Sequence, residues 1–172
     1  MYAKLSTCAN EQRVIGLYHH DAFMIGVVVA VNPRRIGIEL VAPSGRTEGL
    51  IVMETAAIKQ LEVAEPYLLE IENRRSEQVT QLLPLQLNSF NIVDSLCKQL
   101  QAKVILCRIQ TIFEQNNGYL IGEDKTTLQL QKIDVYGKKG AVVDYHKAEV
   151  LTLSCLDDEL VALQKTVTFV NS

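Results

Sequence analysis

Three clusters of residues have the types and spacing to do chemistry. His19–His20–Asp21 places two imidazoles beside a carboxylate, a set that can bind a divalent metal. Adjacent side chains on an extended segment point opposite ways, so these three chelate only where the loop curls. The alternative is a polar exposed loop. Four cysteines, Cys8, Cys97, Cys107 and Cys155, are widely spaced with no CxxC, which gives no zinc knuckle and no thioredoxin-type pair. Cys97 and Cys107 sit on apolar faces, where a thiol acts as a small buried hydrophobe. His146 is the remaining histidine, and no GxSxG elbow or neighbouring nucleophile accompanies it. Neither GxxxxGK nor GxGxxG occurs, so no phosphate-binding loop is signalled. The carboxylate pairs Asp157–Asp158 and Glu123–Asp124 fall at a helix start and a turn, and the helix dipole suffices to explain the first.

The third cluster is basic. Arg34, Arg35 and Arg46 fall in turns of the first half; Lys125, Lys138, Lys139 and Lys147 fall in the second. Arg46 and Lys138 each follow a turn glycine. Loops on one side of the two modules could pool this charge against a nucleic acid or another anion, with Tyr119, Tyr136 and Tyr145 as stacking surface in the second. Solvated turn charge is the alternative. Arg74–Arg75 lies among Glu70, Glu72 and Glu77, the acids expected to pair with it.

The elements that must position these residues repeat. Arg13–Val14–Ile15 recurs as Lys103–Val104–Ile105, and Phe23 as Phe113, both 90 positions on. After a two-residue insertion the shift becomes 92, matching Gly26 with Gly118, Gly45 with Gly137, Ala56 with Ala148 and Leu61 with Leu153. Each copy reads as short strands: Val14–Tyr18, Phe23–Asn32, the alternating Ile36–Leu40, Leu50–Glu54 and Ile58–Val63, then Val104–Ile109, Gly118–Gly122, Thr127–Ile133, Ala141–Tyr145 and Val150–Leu153. Gly26 reads as a bend glycine inside a strand; Gly118, after Asn116–Asn117, reads more readily as a turn glycine. Helical patterns flank the strands. Leu5–Gln12 and a segment starting after Asn91 precede them. Pro66 starts a helix running towards Leu83, where Pro84 stops it, and Ser154 with Asp157 forms a capping-box pattern at the last helix.

The predicted fold is mainly β with flanking helices: two tandem five-stranded small β-barrels, each preceded by a short helix. The expected domains are a first module over 1–65, a helical linker over 66–90 and a second module with a C-terminal helix over 91–172.

The segments Phe23–Val28, Ile36–Leu40, Pro43–Gly45 and Ile58–Leu61, with Gly118–Ile121, Leu128–Leu130, Gly137 and Val150–Leu153, resemble the Sm-like (LSm/Hfq-type) small barrel. Other SH3-type barrels fit almost as well. The resemblance implies edge-to-edge association of barrels. It does not extend to the RNA site of that family. Asn32–Pro33–Arg34–Arg35 and Glu123–Asp124–Lys125–Thr126 replace the expected Asp–x–Met–Asn loop. Met53–Glu54–Thr55 and Tyr145–His146–Lys147 stand where an Arg–Gly is expected.

Composition agrees with a folded globular chain: 172 residues, 48% hydrophobic, 22% charged, net charge −3 and no Trp. No run approaches the ~20 apolar residues of a membrane span. The start MYAKLSTCANEQRV has no apolar h-region, so a cytoplasmic location with reduced thiols is expected. The functional expectation is a non-enzymatic binding or assembly protein without cofactor or metal. It would form homo-oligomers through barrel edge strands. RNA or DNA binding through Arg34, Arg35, Arg46, Lys125, Lys138 and Lys139 is the alternative.

Overall fold

A computed structural model describes residues 1–19, 22–77 and 85–170, without the side chains of 168–170. The chain divides into two units, Met1–Val93 and Asp94–Ser172. The first holds helix α1 (Tyr2–Glu11), strands β1 (Val14–His19), β2 (Ala22–Val31), β3 (Arg35–Val41), β4 (Thr47–Glu54) and β5 (Ile58–Val63), and helix α2 (Pro66–Glu77). Helix α3 (Ile92–Ala102) precedes β6 (Cys107–Gln110), β7 (Gln115–Glu123), β8 (Thr127–Ile133), β9 (Lys139–His146) and β10 (Thr152–Cys155), and helix α4 (Asp158–Val170) follows. The architecture is mainly β, with antiparallel strands and flanking helices, as the sequence predicts.

Strand pairing is the same in both units. The first is ordered β5-β1-β2-β3-β4 and the second β10-β6-β7-β8-β9. Among the described residues β5 does not pair with β4, nor β10 with β9. The registers agree at one offset. Ile15 faces Gly26 and Cys107 faces Gly118, 92 residues on. The irregularity at Val28/Ala30 recurs at Leu120/Gly122. Gln12 and Val104 end their preceding helices in the left-handed region, at φ 54° and 52°; Ala64 and Leu156 precede the following helices at 61° and 62°. A left-handed helix end closes on carbonyls that the helix leaves unpaired.

This corrects the alignment of the first strand. Arg13–Val14–Ile15 corresponds to Ile105–Leu106–Cys107, not to Lys103–Val104–Ile105. Likewise Phe23 corresponds to Gln115, not to Phe113. Val104 is the helix-terminating residue, so the strand starts later than its apolar letters suggest. Gly118 is also corrected: it lies within β7, not in a turn. A Cβ on Gly118 would stand 2.3 Å from the Gln131 carbonyl oxygen, and one on Gly26 would stand 2.5 Å from that of Glu39. The partner strand's backbone therefore demands glycine at both places.

Burial follows the alternation. In the first unit Leu5 and Cys8 of α1 pack with Ile15, Leu17, Val28, Ile36, Ile38 and Met53 on the inner face. Val14, Val27 and Val41 face the other way and are covered by Leu68 and Ile71 of α2. In the second unit Leu106, Ile133 and partly buried Tyr119 are covered by Leu160, Leu163 and Val167 of α4. A side chain of each covering helix accepts a hydrogen bond from the backbone where the chain enters the first strand. Glu72 Oε2 accepts from the Val14 N–H (3.1 Å), and Gln164 Oε1 accepts from the Leu106 N–H (2.9 Å). Segment 66–90, expected as a linker, thus begins with a helix packed into the first unit. Its continuation to Leu83 and Pro84 lies outside the described residues. The N-cap of α4 is Asp157, whose Oδ1 accepts from the Leu160 N–H at 2.8 Å, rather than Ser154.

Candidate binding surface

The predicted basic residues are placed by two turns per unit. Arg34 and Arg35 follow Asn32, whose Oδ1 accepts both of their backbone N–H groups (2.9 and 2.8 Å). Asp124 does the same for Thr126 and Thr127, at 2.7 Å each, beside exposed Lys125. Arg46 and the pair Lys138–Lys139 lie at the next turns, where Gly45 and Gly137 have φ of 87° and 79°. These two turns stand at opposite ends of the strand between them. Seven residues of β3 span about 20 Å, and so do seven of β8. The structure therefore does not bring Arg34 and Arg35 together with Arg46, nor Lys125 together with Lys138 and Lys139, on one side of a unit. Arg35 lies 3.7 Å from Glu54, and its guanidinium pKa is lowered by burial, with Glu54 acting against that shift. Arg46 lies 3.5 Å from Glu48.

The other chemical candidates are engaged structurally. His19 is buried at the end of β1; His20 and Asp21 lie outside the described residues. His146 Nδ1 accepts from the Ala148 N–H (3.3 Å) in the turn after β9. All four thiols are free and buried. Burial pushes Cys97 and Cys155 up to about 12, holds Cys107 well above its ordinary value, and raises Cys8. A thiol so shifted is protonated at neutral pH and is a poor nucleophile. Among the described residues no group of three metal-ligating side chains is assembled. Lys147 joins Asp94 (2.7 Å) and Glu123 (3.3 Å) in a half-buried ion cluster. Arg74 pairs with Glu70 as the helix spacing predicts, but Arg75 turns to Glu39 of β3 at 3.0 Å.

The surface feature that sequence reasoning missed lies on the outer side of β5, β1 and β2. Gly16 faces Ile25 on β2 and Glu62 on β5. Two positions along, Tyr18 faces Phe23 and Gln60. The rings of Tyr18 and Phe23 are 4.7 Å apart at 46°, and Tyr67 of α2 adds a third ring 6.5 Å from Phe23 at 54°. A Cβ at Gly16 would meet both Phe23 and Tyr67 at 2.8 Å, so glycine makes room for the rings. They nevertheless stay 36%, 41% and 38% exposed for Tyr18, Phe23 and Tyr67. The Tyr67 hydroxyl donates to Glu62, and its pKa is raised by burial and by that hydrogen bond. Beside it, a groove of about 550 Å³ runs between α1 and β5, lined by Glu11, Glu62 and Glu65 among others. Lys4 is the cation among its described lining residues. Alternation of Gly16 and Tyr18 in β1 was the available signal; Tyr67 joins them only through the docking of α2.

No known protein family matches the chain, and no curated protein does. Among solved structures, YcgR from Escherichia coli in complex with c-di-GMP matches at 8% identity over 98% of this chain and 88% of that one, with a TM-score of 0.20. No helix among the described residues is long and apolar enough to cross a membrane.

Proposed function

We propose that this chain is a non-enzymatic binding and assembly protein made of two Sm-like five-stranded modules. The observation that carries the reading is the shared strand order, β5-β1-β2-β3-β4 and β10-β6-β7-β8-β9, with registers offset by 92 residues. Strand β5 has β1 as its partner and β9 has β8, and both strands end the strand order. An end strand presents unpaired N–H and C=O groups that a second chain can pair with. The two end strands also carry charges in a complementary order. β5 carries Lys59 and Glu62 with Glu65 just after it, and β9 carries Lys139 and Asp144 with Lys138 just before it, so antiparallel pairing runs Lys139 towards Glu62 and Asp144 towards Lys59. Pairing β9 of one copy with β5 of another would bring opposite charges together. A non-enzymatic role is supported by the burial of the thiols and the turn hydrogen bond of His146. The placement of the basic turns does not favour the nucleic-acid alternative.

The test is sedimentation velocity of the full chain over a wide concentration range. Concentration-dependent oligomers are expected, and Val142→Glu, at a half-exposed position of β9, should weaken them about tenfold. A strict monomer at the highest concentration overturns the assembly reading.

A further inference from the structure

The two units share one framework, and one position in it is occupied very differently. In the second unit the Gly16 position holds Arg108, the Tyr67 position holds Glu159 and the Glu65 position holds Asp157, each 92 residues on. Arg108 sits on the outer side of β6. Its Nη2 donates to Glu159 (2.7 Å), its Nη1 to Asp157 (3.4 Å) and its Nε to Asn117 (3.0 Å). The second unit therefore fills this place with its own guanidinium, held by carboxylates at the start of the covering helix. In the first unit there is no side chain at Gly16. Three partly exposed aromatic rings stand over it instead, with Glu62 bonded to Tyr67 and Glu65 close enough to raise the Tyr67 pKa electrostatically.

We propose that the ring cluster Tyr18–Phe23–Tyr67, together with Glu62 and Glu65, is a binding site for the guanidinium of an arginine side chain presented by a basic peptide. Planar guanidinium stacks on aromatic faces and pairs with carboxylate oxygens in its own plane. The rings lie within 4.7 and 6.5 Å of one another and each is more than a third exposed, so a planar cation laid on the cluster reaches more than one ring. Glu62 and Glu65 supply the carboxylates that Asp157 and Glu159 supply to Arg108. Single-stranded nucleic acid would also stack on the rings, but its phosphates would face Glu11, Glu62 and Glu65 along the adjacent groove. The site lies on one unit; it shares Glu62 and Glu65 with the β5 edge of the assembly reading but needs no second copy, so a chain that proves monomeric still carries it.

The experiment titrates the full chain with three probes: a tri-arginine peptide, the tri-citrulline peptide of the same length, and oligo-thymidylate. The readout is NMR of the aromatic ring resonances together with calorimetry. Tri-arginine should shift the rings of Tyr18, Phe23 and Tyr67 and bind at least about fivefold tighter than tri-citrulline. Glu62→Gln and Phe23→Leu should each weaken tri-arginine roughly three- to tenfold. Tyr136→Phe, at an exposed position of the second unit, should leave tri-arginine binding unchanged, and circular dichroism of every variant checks that the fold is kept. Equal binding of arginine and citrulline peptides overturns the proposal, as does a response confined to the second unit. Preference for oligo-thymidylate overturns it in favour of a nucleic-acid surface.

Discussion

At Asn32 and Asp124 two different side chains perform one task. Each oxygen accepts the N–H groups two and three residues on and closes the same turn. The amide does so uncharged; the carboxylate does so as an anion. The Thr126 and Thr127 N–H groups accordingly hold the Asp124 carboxyl below its ordinary 3.8. A depressed folded-state value gives stability that is present above the unfolded value and lost as pH falls through the folded one. Asp124→Asn should keep the turn, because Asn32 shows that an amide oxygen suffices. It should also flatten this part of the acid limb. Urea midpoints of the two chains, measured at steps from neutral pH down through the carboxylate range, check this. Parallel curves would mean that Asp124 does not titrate with folding.

Helix α2 and helix α4 cover their sheets with equivalent residues but not with equivalent chemistry. Under α2 the Glu39 carboxylate is almost wholly buried, accepts from the Thr47 hydroxyl at 2.8 Å and pairs with Arg75 at 3.0 Å. Under α4 the same two positions hold Gln131 and Val167. Removing one partner of a buried pair leaves an uncompensated charge, whereas replacing both with compatible residues is close to neutral. Arg75→Val alone should therefore cost about 3 kcal/mol. The double change Glu39→Gln with Arg75→Val, which copies the second unit, should recover most of it. A double-mutant cycle by chemical denaturation measures the coupling, and additive losses would show that the pair does not act as a unit. The strand alternation correctly puts Glu39 opposite Ile38 and Leu40. Its burial, however, depends on a helix that arrives some thirty residues later in the chain.

For the molecule as a whole, the cysteines report how tightly the units close. Four free thiols are buried in a chain with no disulfide among them. The native protein should react with an aromatic disulfide reagent about a hundredfold or more slower than the unfolded chain, which should titrate four thiols. Rapid labelling of Cys107 or Cys155 under native conditions would show that the second unit opens readily. The order of elements was legible in the sequence because it depends on local signals. Period-two alternation marks Ile36–Leu40. Ile58–Val63 matches β5 residue for residue, and Pro66 opens α2. The offset of the first strand was misread because apolar letters run through Val104. Only the left-handed backbone there shows that the helix ends on it. Within one unit the basic turns stay apart, since successive turns of an antiparallel run lie at opposite ends of the intervening strand.

The sequence by itself determined the class of architecture, the repeat near 90 residues and the absence of nucleotide-loop motifs, because propensity, periodicity and spacing are properties of neighbours along the chain. Only the tertiary structure decided that Glu39 is buried with Arg75. It also decided that Gly16 floors an aromatic cluster completed by Tyr67, and that Arg108 occupies the same place in the second unit. Those contacts join strands and helices far apart in the chain, and their meeting is fixed by the packing of side chains on sheet faces, which no local pattern encodes.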